Sequence, residues 1–185
     1  MTSPAGFSHL GDEPVVELSR HSVVRGSFSA PDGSSFERDI VRSPQVVAMV
    51  PLSDDRASAL LVRQYRGPID QLLLEIPAGL CDVDGEDPLV TAQRELVEEV
   101  GCTADRLELV AHIHPAAGFT DQFTRLYLAT SLAEVDSDRQ GVEEQNMTQE
   151  WIRLDEVPSL IGRGELTDSK SMIGLLLALR RHEQG

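Results

Sequence analysis

The stretch at residues 79–102, GLCDVDGEDPLVTAQRELVEEVGC, constrains the fold of this chain more than any other. It opens as a glycine-containing loop and becomes a helix whose two ends are both written locally. Asp87 is placed as N-cap with Pro88 at the first helical position, and Gly101 is placed to stop the helix after Val100. Residues three and four apart are neighbours on a helix, so Leu89, Ala92, Leu96 and Val100 are predicted to line a core-facing stripe. Glu95, Glu98 and Glu99 then project to another side. Like charges at that spacing repel, and more strongly where water is excluded, so a compensating cation is the natural expectation. Oxygen ligands alone favour a hard ion, magnesium or manganese.

The rest of the chain supplies what such a helix can pack on. Residues 1–14 read as a loose N-terminus rich in Ser, Pro and Gly. A β-prone segment at 15–29, the turn Ala30-Pro31-Asp32-Gly33 and a strand at 36–42 predict a hairpin within 15–43. Strands are predicted at 45–52, 57–66 and 71–76, then at 107–114 and 123–130, the last two separated by PAAGFTDQ, a loop of small and polar residues suited to approach a ligand. Residues 136–146 are acidic without an apolar period and read as a loop. A short strand at 151–154 and a short helix at 156–162 follow. Residues 169–182 read as a helix capped by Asp168, with Met172, Ile173, Leu176, Leu177 and Leu179 as its apolar face. This alternation predicts an α+β fold, a mixed sheet sandwiched between helices over 44–185, with the N-terminal hairpin outside it.

Composition narrows the function. A chain of 185 residues carrying a formal charge of −15 lacks the Lys/Arg footprint that a nucleic-acid surface or an anionic membrane requires. A small phosphorylated substrate stays open, because a few arginines and a bound divalent ion can reverse the potential locally. No apolar run is long enough to span a membrane, and the N-terminus lacks the features of a signal peptide, so a cytoplasmic protein is expected. Cys81 and Cys102 form no metal-binding spacing and are expected to be reduced and unpaired.

The helix and its loop resemble the Nudix box, with Gly79, Glu86, Arg94, Glu95, Leu96, Glu98, Glu99 and Gly101 filling the family pattern. Six residues rather than five separate Gly79 from Glu86, and Cys102 stands at the closing aliphatic position. The extra residue falls in the loop and leaves the spacing from Arg94 to Gly101 intact. The resemblance implies a Nudix-type α/β/α sandwich in which Glu95, Glu99 and the backbone carbonyl of Ala78 bind Mg²⁺ or Mn²⁺, with Glu98 assisting both the metal and the chemistry. It further implies that Arg94 braces the acidic cluster and that Glu86 supports the loop and helix.

More of the chain resembles the ADP-ribose pyrophosphatase branch of that family: the PDG hairpin ending in RDIVR, the strand VRQYR, the phrase LEIPAGL, the loop AGFTDQ, and EEQNM before a tryptophan strand. That resemblance implies hydrolysis of a nucleoside diphosphate linked to another group, with ADP-ribose leading. Arg66 and Gln122 would meet substrate, and Arg42 would do so across a homodimer formed through the hairpin. The general base would be Glu143, which matches its position in the late acidic loop best, with its neighbour Glu144 as the alternative. Ala117 stands where the branch has a proline, Pro115 lies two residues early, and Gln122 replaces a common glutamate. Another nucleoside diphosphate sugar, or a dinucleotide such as NADH, is the rival substrate. A non-catalytic nucleotide sensor is the rival outside enzymes, although every acid of the box is retained. Net charge sets a role on RNA caps lower still.

Overall fold

The structure, a computed structural model, describes residues 4–137 and 142–184. The chain divides into two units, residues 1–45 with 114–123 and residues 46–113 with 124–185.

The first unit is a three-stranded antiparallel sheet in the order β1 (Ser8–Glu17), β2 (Ser22–Ser29), β3 (Ser35–Arg42). At the β2–β3 turn the Gly33 N–H reaches the Ala30 carbonyl at 2.9 Å, and Asp32 accepts from the Ser34 N–H at 2.9 Å. Phe28 and Phe36, directly opposite in register, stack with ring centroids 5.3 Å apart. The 114–123 segment joins this sheet through the Val41 N–H, which donates to the Phe119 carbonyl at 2.8 Å. The expected loose segment through residue 14 is corrected here: residues 8–14 belong to β1, and the hairpin is a three-stranded sheet. Gly11 and Pro14, which look like loop residues, fall at the two register shifts of β1, on an edge strand where irregularity and a missing N–H are tolerated.

The second unit contains β4 (Val46–Pro51), β5 (Ser58–Arg66), β6 (Gln71–Glu75), β7 (Ala78–Leu80), α1 (Pro88–Val100), β8 (Cys102–Ile113) and β9 (Thr124–Glu134). It continues with α2 (Val142–Gln145), β10 (Thr148–Arg153), α3 (Val157–Gly162) and α4 (Ser169–Gln184). Strands β7-β4-β9-β8 form a mixed sheet in which β4 and β9 run parallel, and β10-β5-β6 form an antiparallel one. Side chains alternate along a strand, and the core follows that period. Val47 and Met49 of β4 join Tyr127 and Ala129 of β9 in a cluster with Ala92, Leu96 and Val100 of α1. Ala48 and Val50 join Leu126 and Leu128 in a second cluster with Leu175 and Ala178 of α4. Sheet between two helices is the α/β/α arrangement expected.

Two helix faces are corrected. Leu89 is exposed, so the buried stripe of α1 starts at Thr91 and Ala92. The buried stripe of α4 is Ser171, Gly174, Leu175 and Ala178, while Ile173 and Leu176 are exposed. That helix is apolar on more than one side, so periodicity alone does not select the packed face. β7 and α2 are further elements where loops were expected. The acidic loop read at 136–146 falls partly, at 138–141, outside the described residues. Both cysteines are free. Among the described residues no helix is long and apolar enough to cross a membrane.

Candidate active site

The α1 helix is fixed at both ends by the residues its sequence advertises. Asp87 Oδ1 accepts from the Leu89 N–H at 2.9 Å, and Gly101 closes the helix at φ 62° with its N–H on the Leu96 and Val97 carbonyls. Gln149 Nε2 of β10 donates to the Glu99 carbonyl at 2.9 Å, satisfying one of the carbonyls a helix end leaves open.

So anchored, α1 turns two of its acids inward. Glu95 and Glu99 are only 8% and 4% exposed, which corrects the expectation that the acidic side lies apart from the core. Glu99 Oε2 accepts from the Ala78 N–H at 3.0 Å. The Glu95 carboxylate occupies the space in front of residue 79, where a Cβ would come within 1.9 Å of Glu95 Cδ. Glycine is therefore required at 79 for close approach, not for a turn.

Arg94 Nη1 donates to Glu95 Oε1 at 2.9 Å and to Glu98 Oε2 at 3.0 Å. Its Nη2 stands 3.6 Å from Glu86 Oε2, which instead accepts from the Thr91 hydroxyl at 2.7 Å. Arg94 Nε and Nη2 are buried with no hydrogen-bond partner among the described residues, so Arg94 acts on Glu86 through charge.

The electrostatics follow from burial. Desolvation raises the Glu95 pKa to about 7 against the pull of Arg94, with Glu98 adding to the rise. Desolvation raises Glu99 to about 8, opposed by the Ala78 N–H and reinforced by Glu95. The charge of Glu144 contributes to both. Burial leaves both carboxyls resisting ionisation near neutral pH even with Arg94 beside Glu95, and a divalent cation would supply the further positive charge.

Arg66 lies in the same unit, its guanidinium chelating Glu75 through Nε–Oε1 at 2.6 Å and Nη2–Oε2 at 2.9 Å. Its charge favours ionisation of Glu99. Glu143 and Glu144 sit on α2, the first exposed and the second half-buried. Arg42 and Gln122 belong to the first unit. Arg42 is ion-paired with Asp12 at 2.7 Å and Asp121 at 3.1 Å, and Gln122 Nε2 donates to the Ser43 hydroxyl at 3.1 Å.

Glu75, Thr91, Gln149 and Lys170 were missed in the sequence, whereas Asp168 was read as the cap of α4 and accepts there from the Ser171 N–H. The one signal available was Glu75 itself, an acid inside the apolar run LLLEI, where a charge needs a partner.

The donors present fit a hard divalent ion. They are oxygens only, two of them on buried carboxylates with raised pKa, and Gly79 leaves room for Glu95. Among the described residues no trio of His, Cys, Asp or Glu side chains is gathered to hold an ion as it stands.

The NUDIX domain pattern matches residues 43–172. The chain belongs to the Nudix family, as a pyrophosphohydrolase of that family. More particularly, it is 39% identical over 170 residues to the ADP-ribose pyrophosphatase of Mycobacterium tuberculosis, covering 92% of this chain and 82% of that one. It is 32% identical over 141 residues to the ADP-ribose pyrophosphatase of Bacillus subtilis, covering 76% and 75%. A crystal structure of an ADP compounds hydrolase matches with a TM-score of 0.84 over 100% of this chain and 98% of its own, at 22% identity, a likeness of fold.

Proposed function

We propose that the protein hydrolyses the diphosphate of ADP-ribose to AMP and ribose 5-phosphate, using Mg²⁺ or Mn²⁺. The observation that carries this is the buried pair Glu95 and Glu99 packed against Gly79 and Ala78, two carboxylates that burial disfavours in their charged forms even with Arg94 beside Glu95. The names of the two pyrophosphatase relatives supply the substrate. Glu95, Glu98, Glu99 and the Ala78 carbonyl would hold the cation. When bound, it neutralises diphosphate oxygens and lowers the pKa of water.

The chain's own residues do the rest. Arg94 holds Glu95 and Glu98 in place from one nitrogen. Arg66 spends two of its guanidinium N–H groups on Glu75 and offers the others to a diphosphate oxygen. A carboxylate on α2 takes the proton of the attacking water as its oxygen bonds phosphorus and the bridging P–O bond breaks. We favour Glu144 over Glu143 for this role, because Glu144 is the less exposed and its charge reaches both Glu95 and Glu99. We further place the protein in the cytoplasm as a homodimer built on the first unit, whose strand β1 leaves Leu10, Val15 and Val16 exposed.

The test is a substrate panel of ADP-ribose, other nucleoside diphosphate sugars and NADH, each with magnesium and with manganese, read by released nucleotide. The highest kcat/KM is expected for ADP-ribose. A higher value for another compound moves the substrate, and no hydrolysis of any overturns the reading.

A further inference from the structure

The first turn of α4 carries a buried Ser171 and a mostly covered Lys170, although the helix packs on a sheet whose facing side chains are apolar. Asp168 accepts from the Ser171 N–H at 2.9 Å and from the Ser171 hydroxyl at 2.5 Å. That hydroxyl in turn accepts from the Ile76 N–H at 2.8 Å, so the turn also fixes the backbone two residues before Ala78. Lys170 Nζ stands 3.0 Å from Asp168 Oδ1 and bonds Glu75 Oε2. Glu75 is 1% exposed and is the carboxylate that chelates Arg66. Asp168, Lys170, Glu75 and Arg66 thus form one line of alternating charge from the start of α4 to the site.

One cation would neutralise Glu75, and it has two. The second matters because of what it leaves Arg66. With Lys170 present, two carboxylates and two cations balance, and the Arg66 guanidinium, held at a fixed angle by two parallel bonds, keeps attraction for an anion on its exposed side. Without Lys170, two carboxylates would face one guanidinium, and the excess negative charge would weaken what the exposed side of Arg66 offers an anion.

We propose that Lys170, acting through Glu75, is a positioning residue for Arg66, so that the first turn of α4 sets where the substrate's diphosphate is gripped. The inference rests on the reading that Arg66 contacts that diphosphate. A positioning role predicts an effect on substrate binding that disappears once Arg66 is gone.

The experiment is a double-mutant cycle on the full chain with ADP-ribose and saturating manganese, comparing Arg66→Ala, Lys170→Met and the pair, with Lys170→Arg as the conservative variant. Arg66→Ala should raise KM roughly tenfold, the scale of a lost charged hydrogen bond. Lys170→Met should raise KM roughly three- to tenfold with kcat within about twofold. In the Arg66→Ala background it should add nothing further, and Lys170→Arg should restore most of KM.

Additive effects in the pair, an unchanged KM in Lys170→Met, or a loss confined to kcat or to the melting temperature would overturn the proposal. An unchanged KM in Arg66→Ala would overturn the Arg66 reading beneath it. Should Lys170→Met fail to fold, Glu75→Gln replaces it in the same cycle, with the same non-additivity expected and additivity again overturning the proposal.

Discussion

Glu95 and Glu99 hold their protons to higher pH when folded than their ordinary 4.5, at about 7 and about 8, because burial disfavours the charged forms. Between those values the folded chain binds more protons than the unfolded one, so metal-free stability falls as pH rises from about 5 to about 8. Glu75 carries the opposite sign. Burial alone would raise it, but Arg66 and Lys170 outweigh burial and hold it below the ordinary carboxylate range, so its contribution is lost as pH falls through its folded value. Without metal, the melting temperature should therefore peak in mildly acid solution and decline towards pH ~8, and saturating Mn²⁺ should remove the decline. A flat or rising profile over that range would contradict a burial-driven shift. Glu99→Gln separates the two consequences of one carboxylate. Turnover should fall by about 10²-fold or more, while metal-free stability at pH ~8 should hold or rise, as assay and calorimetry would show. Gly79→Ala drives a methyl into Glu95. Displacing that carboxylate should cost about 1–3 kcal/mol and weaken Mn²⁺ binding, measured by denaturant titration and metal titration.

At the scale of the element, α1 was legible to the residue at both ends, because Asp87, Pro88 and Gly101 act on backbone groups within one turn of themselves. Gly101→Ala should cost about 1–2 kcal/mol in chemical denaturation, since φ is 62° and a Cβ there would approach the Val135 carbonyl at 3.0 Å. The strands were legible where apolar residues ran together, as in β4 and β5. They were not where pairing overrides local preference. β1 carries Gly11 and Pro14 and is a strand because β2 supplies its ladder, and β7 is three residues long and is defined by its register with β4. α4 existed in the sequence, but which of its apolar sides would pack did not, since its stripe is Ser171, Gly174, Leu175 and Ala178.

For the whole molecule, the proposed dimer makes a direct prediction. Light scattering at micromolar concentration should give twice the mass of the 20.3 kDa chain, and Val16→Asp on β1 should shift it to the monomer. A wild-type monomer would refute the dimer. The sequence by itself determined the box helix, its caps, the acids on it and the strands marked by apolar runs, because each depends on residues a few positions apart. It also argued against a nucleic-acid surface, since charge needs no fold to be counted. Only the tertiary structure decided that Glu95 and Glu99 face inward, that Gly79 is open to admit one of them, and that Glu75 joins Arg66 to a lysine 95 residues further along the chain. Burial and pairing across such distances come from packing two helices on a sheet, and no local pattern in a chain encodes which buried charge will meet which.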